Sequence, residues 1–109
     1  MSSRSVVVTG LGAVTVAGLG VDALWKAAAG GESGARPVQL SRDYGQIVKL
    51  AAQAPPLEIT DIFPDKRPNF FDRATTLALA AAAEAVGNAG LADAVPFGPR
   101  TAVIVGTGV

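Results

Sequence analysis

A chain of 109 residues, half of them hydrophobic, has room for one modest α/β domain with a buried core. Nine basic and nine acidic residues cancel to a formal charge of zero, so no whole-chain field draws the protein to nucleic acid or to an anionic membrane surface. It holds no cysteine and no histidine, which removes a thiolate nucleophile, an imidazole acid or base, and the two commonest transition-metal ligands.

Residues 5–9 open the chain with a short β-branched run, Val6, Val7 and Val8, ended by Gly10. That pattern predicts a strand buried on both faces of a parallel sheet. Glycines at 10, 12, 18 and 20 then predict a turn-rich loop. Val21, Leu24, Trp25 and Ala28 follow at spacings of i, i+3, i+4 and i+7, an apolar helical stripe over residues 21–29 that Gly30 and Gly31 should stop.

Residues 46–53 alternate loosely ahead of Pro55 and Pro56, which favours an exposed or edge strand. Thr60 is placed to cap a turn through Asp61, Ile62 and Phe63, and Pro64 and Pro68 bracket the basic pair Lys66 and Arg67 on a surface connection. Asp72 stands where a helix cap belongs, and residues 73–89 are rich in alanine and leucine until Gly90, with Leu91 placed for the apolar contact that accompanies a glycine stop. The alanine run at 80–83 leaves few polar side chains on any face, so this helix is expected between other layers, with room for close approach of a partner helix. Residues 101–105 read as a second buried strand, and Gly106, Thr107 and Gly108 begin a turn. Strand, helix and strand are thus present without the next layer that would cover a parallel sheet, and the chain is expected to be incomplete on its own.

Three motifs admit functional readings. A strand running into Gly10-Leu11-Gly12 begins like a dinucleotide loop, yet Thr15 occupies the place of the third glycine and no acidic residue ends a second strand about 20 residues on, so a tight structural turn is the better reading. Lys66 and Arg67 suit a phosphate or an ordinary solvated loop. Gly106-Thr107-Gly108-Val109 follows a predicted strand at its carboxyl end, the side of an open α/β sheet where ligands usually bind, and reads either as a ligand-facing turn or as a loop needed for topology. No run approaches the roughly 20 apolar residues of a spanning helix and no signal peptide is evident, so a cytoplasmic protein is expected.

The ordered set of segments is more specific than any one motif. Residues 6–14 (Val-Val-Val-Thr-Gly-Leu-Gly-Ala-Val), Leu24-Trp25-Lys26, Gly31-Glu32-Ser33-Gly34, Asp72-Arg73-Ala74-Thr75, the alanine helix closing on Ala89-Gly90-Leu91, and residues 103–108 resemble, in order and spacing, the N-terminal segment of β-ketoacyl-acyl-carrier-protein synthases of the thiolase-like class. The resemblance covers essentially all of residues 1–109. It implies an α/β fold, the first part of a layered βαβαβ architecture. It also implies a homodimeric parent enzyme that joins acyl and malonyl thioesters by decarboxylative condensation, in fatty acid or polyketide synthesis, with no cofactor.

The family's nucleophilic cysteine and two histidines match no residue of this chain, so the resemblance implies that the chain alone is inactive. By position, Val109 resembles the residue bordering the acyl-chain channel, with Thr107 and Gly108 beside it. Lys66 resembles a basic position that meets the acidic acyl carrier protein, with Arg67 adjacent. The chain departs from the pattern at Asn69 and Phe70, where related synthases often add further basic residues. Two other readings stand beside this one: a non-catalytic scaffold or pseudo-subunit that pairs with an active synthase, and a small nucleotide-binding module. Uncovered apolar faces lead to the expectation that the isolated chain is poorly soluble or oligomeric.

Overall fold

The computed structural model describes residues 3–38 and 49–108. Its elements are β1 (Val14–Thr15), β2 (Gly18–Leu19), α1 (Val21–Gly30), β3 (Arg36–Pro37), β4 (Leu50–Ala51), α2 (Ile59–Ile62) and α3 (Arg73–Asn88), with single 3₁₀ turns at Pro68–Phe70 and Ala92–Ala94. The class is mixed α/β. The strands form two separate antiparallel ribbons, β1 with β2 and β3 with β4, and not the parallel layered sheet that the sequence predicts.

α3 is the spine. Its start is set by Asp72, whose carboxylate accepts a 2.7 Å hydrogen bond from the Thr75 amide. That bond also holds the Asp72 carboxyl below its ordinary pKa. Its end is set by Gly90, which takes φ 71°. Gly90 and Leu91 then donate to the carbonyls of Gly87 and Val86, both at 3.0 Å, a double closure that satisfies two carbonyls the helix would leave open. α1 ends the same way, with Gly31 at φ 65° and Gly31 and Glu32 donating to Ala28 and Ala27. Replacing Asp72 by Ala should fray the first turn of α3, read as faster hydrogen exchange at the Thr75 amide with the Leu91 amide unchanged.

Several expectations are corrected. Residues 5–9 and 101–105 are not strands. Val6, Val7 and Val8 are 96%, 73% and 79% exposed, and Val103, Ile104 and Val105 are 86%, 93% and 71% exposed. A β-branched run becomes a buried strand only when neighbours supply its ladder bonds and cover its faces, and none does so among the described residues. The α1 stripe is turned outward: Leu24 and Trp25 are exposed, while Val21, Ala23 and Ala27 are half-buried. Of the strand expected over residues 46–53, only Leu50 and Ala51 pair, opposite Pro37 and Arg36, and residues 46–48 lie outside the described part.

Thr60 is not a cap. Glu58 takes that place, its side chain accepting from the Asp61 amide while the Asp61 carboxylate accepts from the Glu58 amide at 2.9 Å, a reciprocal box that starts α2 two residues earlier. α3 is half-buried rather than enclosed, with Thr76 as its one fully buried residue among those described. Ile59 of α2, 1% exposed, is the buried apolar counterpart where α2 meets α3. The surface totals 9234 Å², against about 5,600 Å² for a compact monomer of this mass. Much of the apolar content therefore lies uncovered.

Candidate functional site

The N-terminal segment lies directly on the backbone of α3, and two glycines allow it. A Cβ at Gly12 would stand 1.8 Å from the Ala81 carbonyl oxygen, and one at Gly10 would stand 2.0 Å from that of Ala85. Both contacts are with helix backbone one turn apart, so no side-chain motion could relieve them. Asn88, one turn further on, donates from Nδ2 to the Leu11 carbonyl at 2.9 Å. The alanine face of α3 thus serves the close approach of an extended segment rather than of a helix. Gly10 and Gly12 face α3 and not an open phosphate cradle, and the chain makes no turn at residues 10–12, so the tight turn expected there is replaced by a close approach to helix backbone.

Past Gly12 the chain folds into the β1–β2 hairpin, pairing Val14 with Leu19 and Thr15 with Gly18. Residues 16 and 17 form its two-residue turn, and the Thr15 hydroxyl accepts from the Ala17 amide at 3.1 Å. Glu84 joins this hairpin to both helices. Its Oε2 accepts from the Ala13 amide and its Oε1 from the Val21 amide, each at 2.9 Å. Val21 is the first residue of α1, so the carboxylate also neutralises the positive end of that helix. The Val21 amide, and then that of Ala13, hold the Glu84 carboxyl below its ordinary pKa.

Clefts open on either side of the hairpin. One, of 670 Å³, is lined by Val14, Thr15, Val16, Ala54, Arg73 and Leu77 among others. Arg73 spans its mouth, donating from Nη2 to the carbonyls of Ala54 at 2.6 Å and Pro55 at 3.2 Å. The other, of 330 Å³, is lined mainly by Ala13, Leu19, Leu57, Ile62 and Ala80, with Asp61 and Glu84 at its edge. Both carboxylates are already engaged in backbone bonds. The lining is for the most part backbone and apolar wall, with Arg73, Asp61 and Glu84 held in backbone bonds.

The residues singled out from the sequence lie apart from these clefts. Thr107 and Gly108 are exposed in a segment without regular structure, and Val109 lies outside the described residues. Lys66 and Arg67 are exposed on the connection between α2 and α3, Lys66 lying 3.7 Å from Asp65. Glu84 escaped the sequence reading. Its signal was its isolation, the single acid in a sixteen-residue helix and the one polar residue among residues 77–86. No helix among the described residues is long and apolar enough to cross a membrane.

Comparison with known proteins places the chain. Residues 3–109 match the family model for the β-ketoacyl synthase N-terminal domain. A Streptomyces halstedii protein described as "Putative polyketide beta-ketoacyl synthase 1" is 35% identical over 108 residues, 98% of this chain. The chain spans a quarter of that relative's length. No solved structure matches. A match running through the glycine approach, all three helices and residues 101–108 covers every element described above, and the chain belongs to the β-ketoacyl synthase family, matching the model of its N-terminal domain.

Proposed function

We propose that this chain is the N-terminal portion of a condensing enzyme of thiolase-like fold, which joins acyl and malonyl thioesters by decarboxylative Claisen condensation. The observation that carries the reading is the family match over residues 3–109. The absence of cysteine and histidine from the chain agrees with a division of labour in which the remainder of the synthase supplies the chemistry. There a cysteine thiolate takes the acyl group and releases the donor thiol. The malonyl thioester loses CO₂, its carbanion attacks the acyl carbon, and the thiolate leaves.

The role of this portion is structural and positional. In this reading residues 5–9 and 101–105 are the parallel core strands, whose uncovered valines and isoleucine gain ladder partners and a covering layer in the assembled homodimer. Their present exposure supports such a cover. Val109, with Thr107 and Gly108, borders the acyl channel with an aliphatic wall. Lys66 and Arg67 meet an acidic acyl carrier protein. The description of the Streptomyces relative as a polyketide synthase favours polyketide over fatty acid synthesis.

The test is CO₂ release from malonyl thioester in the presence of an acyl-carrier thioester. The chain within its complete synthase should release CO₂ and form the β-ketoacyl product, while the 109-residue chain alone should do neither. Turnover by the isolated chain would overturn the reading.

A further inference from the structure

Three clefts meet at the tip of the β1–β2 hairpin. Val16 lines the 670 Å³ cleft described above, a second of 240 Å³ and a third of 420 Å³. Gln53 is shared by the first and second, and Gly34 and Arg36 by the second and third, so the three form one groove between the hairpin and the β3–β4 ribbon. Gly34 brings the start of the ribbon onto its floor, since a Cβ there would overlap the Val16 side chain.

An arginine is anchored at each end of one wall. Arg73 donates from Nη2 to the Ala54 and Pro55 carbonyls, and Arg36 donates from Nη1 to those of Ser33 at 2.7 Å and Ala35 at 2.9 Å. In each guanidinium a single nitrogen makes both bonds, and the rest of the fork has no partner among the described residues. Neither arginine has a carboxylate within ion-pair distance among those residues, although Glu32 lines the groove beyond Arg36. A guanidinium already held by backbone loses little freedom on taking an anion, and its remaining edge matches the two oxygens of a carboxylate.

The backbone between these anchors is unpaired. Arg36 pairs with Ala51 and Arg73 bonds the Ala54 carbonyl, so the two points of attachment are at most about 10 Å apart along extended chain. Between them, the amide and carbonyl groups of Ala52 and Gln53 make no hydrogen bond with any described residue. Extended chain with open backbone groups, continuing directly from a strand, is what a further extended segment pairs with.

We propose that this groove seats an extended acidic segment of another protein, added as a strand along Ala52 and Gln53, with one carboxylate on Arg36, another on Arg73 and apolar side chains over Val16. The inference stands independently of the condensing-enzyme reading. Backbone pairing supplies the affinity, and the two arginines set register and choice of partner. A helix has no free backbone groups to offer such a wall. Nucleic acid and anionic membrane call for a broader basic field than two arginines on a chain of zero formal charge.

The experiment is calorimetric titration of the full-length protein with the blocked peptide acetyl-Glu-Val-Glu-Val-Glu-amide. Its glutamates share one face and span about 13 Å, enough to reach both guanidiniums. The parent protein should bind it, and R36Q and R73Q should each weaken binding roughly fivefold at low salt, with the difference shrinking as salt rises. The same peptide N-methylated at both valines, and the backbone-free dianion glutarate, should bind far more weakly than the parent peptide. Equal affinity in both arginine variants overturns the proposal, as does undiminished binding of the N-methylated peptide, glutarate binding as tightly as the peptide, or no binding by the parent protein. Unchanged hydrogen exchange at the Thr75 amide in R73Q shows that α3 still starts at Asp72, and R36Q, on the ribbon, carries the test if it does not.

Discussion

Replacing Gly12 by Val should detach the N-terminal segment from α3 and lower the stability of the protein by about 3 kcal/mol or more, at the upper end of what overpacking costs. The reason is geometric. The first added carbon would meet the Ala81 carbonyl oxygen at 1.8 Å, with the Ala81 carbonyl carbon and the Ala85 amide at 2.8 and 2.9 Å. All three belong to the helix backbone, which cannot yield without breaking its own ladder. Gly87 of the same helix is the internal control, since a Cβ there meets nothing within 4 Å. Gly87→Ala should stabilise by about 0.5–1 kcal/mol through helix propensity and a less flexible unfolded chain. Denaturant titration followed by far-ultraviolet circular dichroism reads both, and equal effects in the two variants would show that Gly12 does not serve the close approach.

Glu84→Ala should loosen two distant places at once. Loss of the carboxylate removes the acceptor of the Ala13 amide and that of the Val21 amide, so hydrogen exchange should accelerate at both while the Thr75 amide, held by Asp72, is unchanged. Glu84→Gln should lie between, because an amide side chain offers one carbonyl oxygen and turns an NH₂ toward the other donor. The pH dependence follows from the direction of the shift. The folded carboxyl titrates below its unfolded value of about 4.3, so its stabilisation is fully present above that value and is lost as pH falls through the lower, folded one. Asp72 adds an acid limb of the same sign at the other end of α3, and Asp61 lines the same cleft as Glu84. Exchange at Ala13 and Val21 against exchange at Thr75 tells the contributions of Glu84 and Asp72 apart. An acid limb at Ala13 and Val21 that persists in Glu84→Gln would refute the assignment.

Local structure was legible where the signal was local. The Asp72 cap, the Gly31 and Gly90 stops and the two long helices depend on residues within a turn of one another, and sequence spacing reports such neighbours directly. The Glu58 box was missed in favour of Thr60 because both are plausible caps two residues apart, and only the Asp61 carboxylate reaching back decides between them. Residues 5–9 and 101–105 carry strand propensity, but a strand is a pairing, and propensity cannot say whether the partner is within reach. The outward turn of Leu24 and Trp25 has the same origin: a stripe has the right period whichever neighbour it is meant for.

At the candidate site, the family could be read from the ordered segments, and the geometry around Gly10, Gly12 and Glu84 could not. Those three residues act through backbone 60 to 80 positions away, as in the Ala13–Glu84 pair separated by 71. A glycine in a loop suggests a turn, and a lone acid in a helix suggests a solvated face, until the packing partner is known.

The same separation governs the order in which the molecule assembles. α1 and α3 are built from contacts within a few residues, so each can form as soon as its own sequence is available. The hairpin's anchorage must wait for Glu84, 71 residues after the Ala13 amide that it receives, and closing so long a loop carries an entropic cost that local helix formation does not. During synthesis, residues 3–13 should therefore remain undocked until α3 has emerged, with Val6, Val7 and Val8 open to any chaperone that binds apolar extended chain.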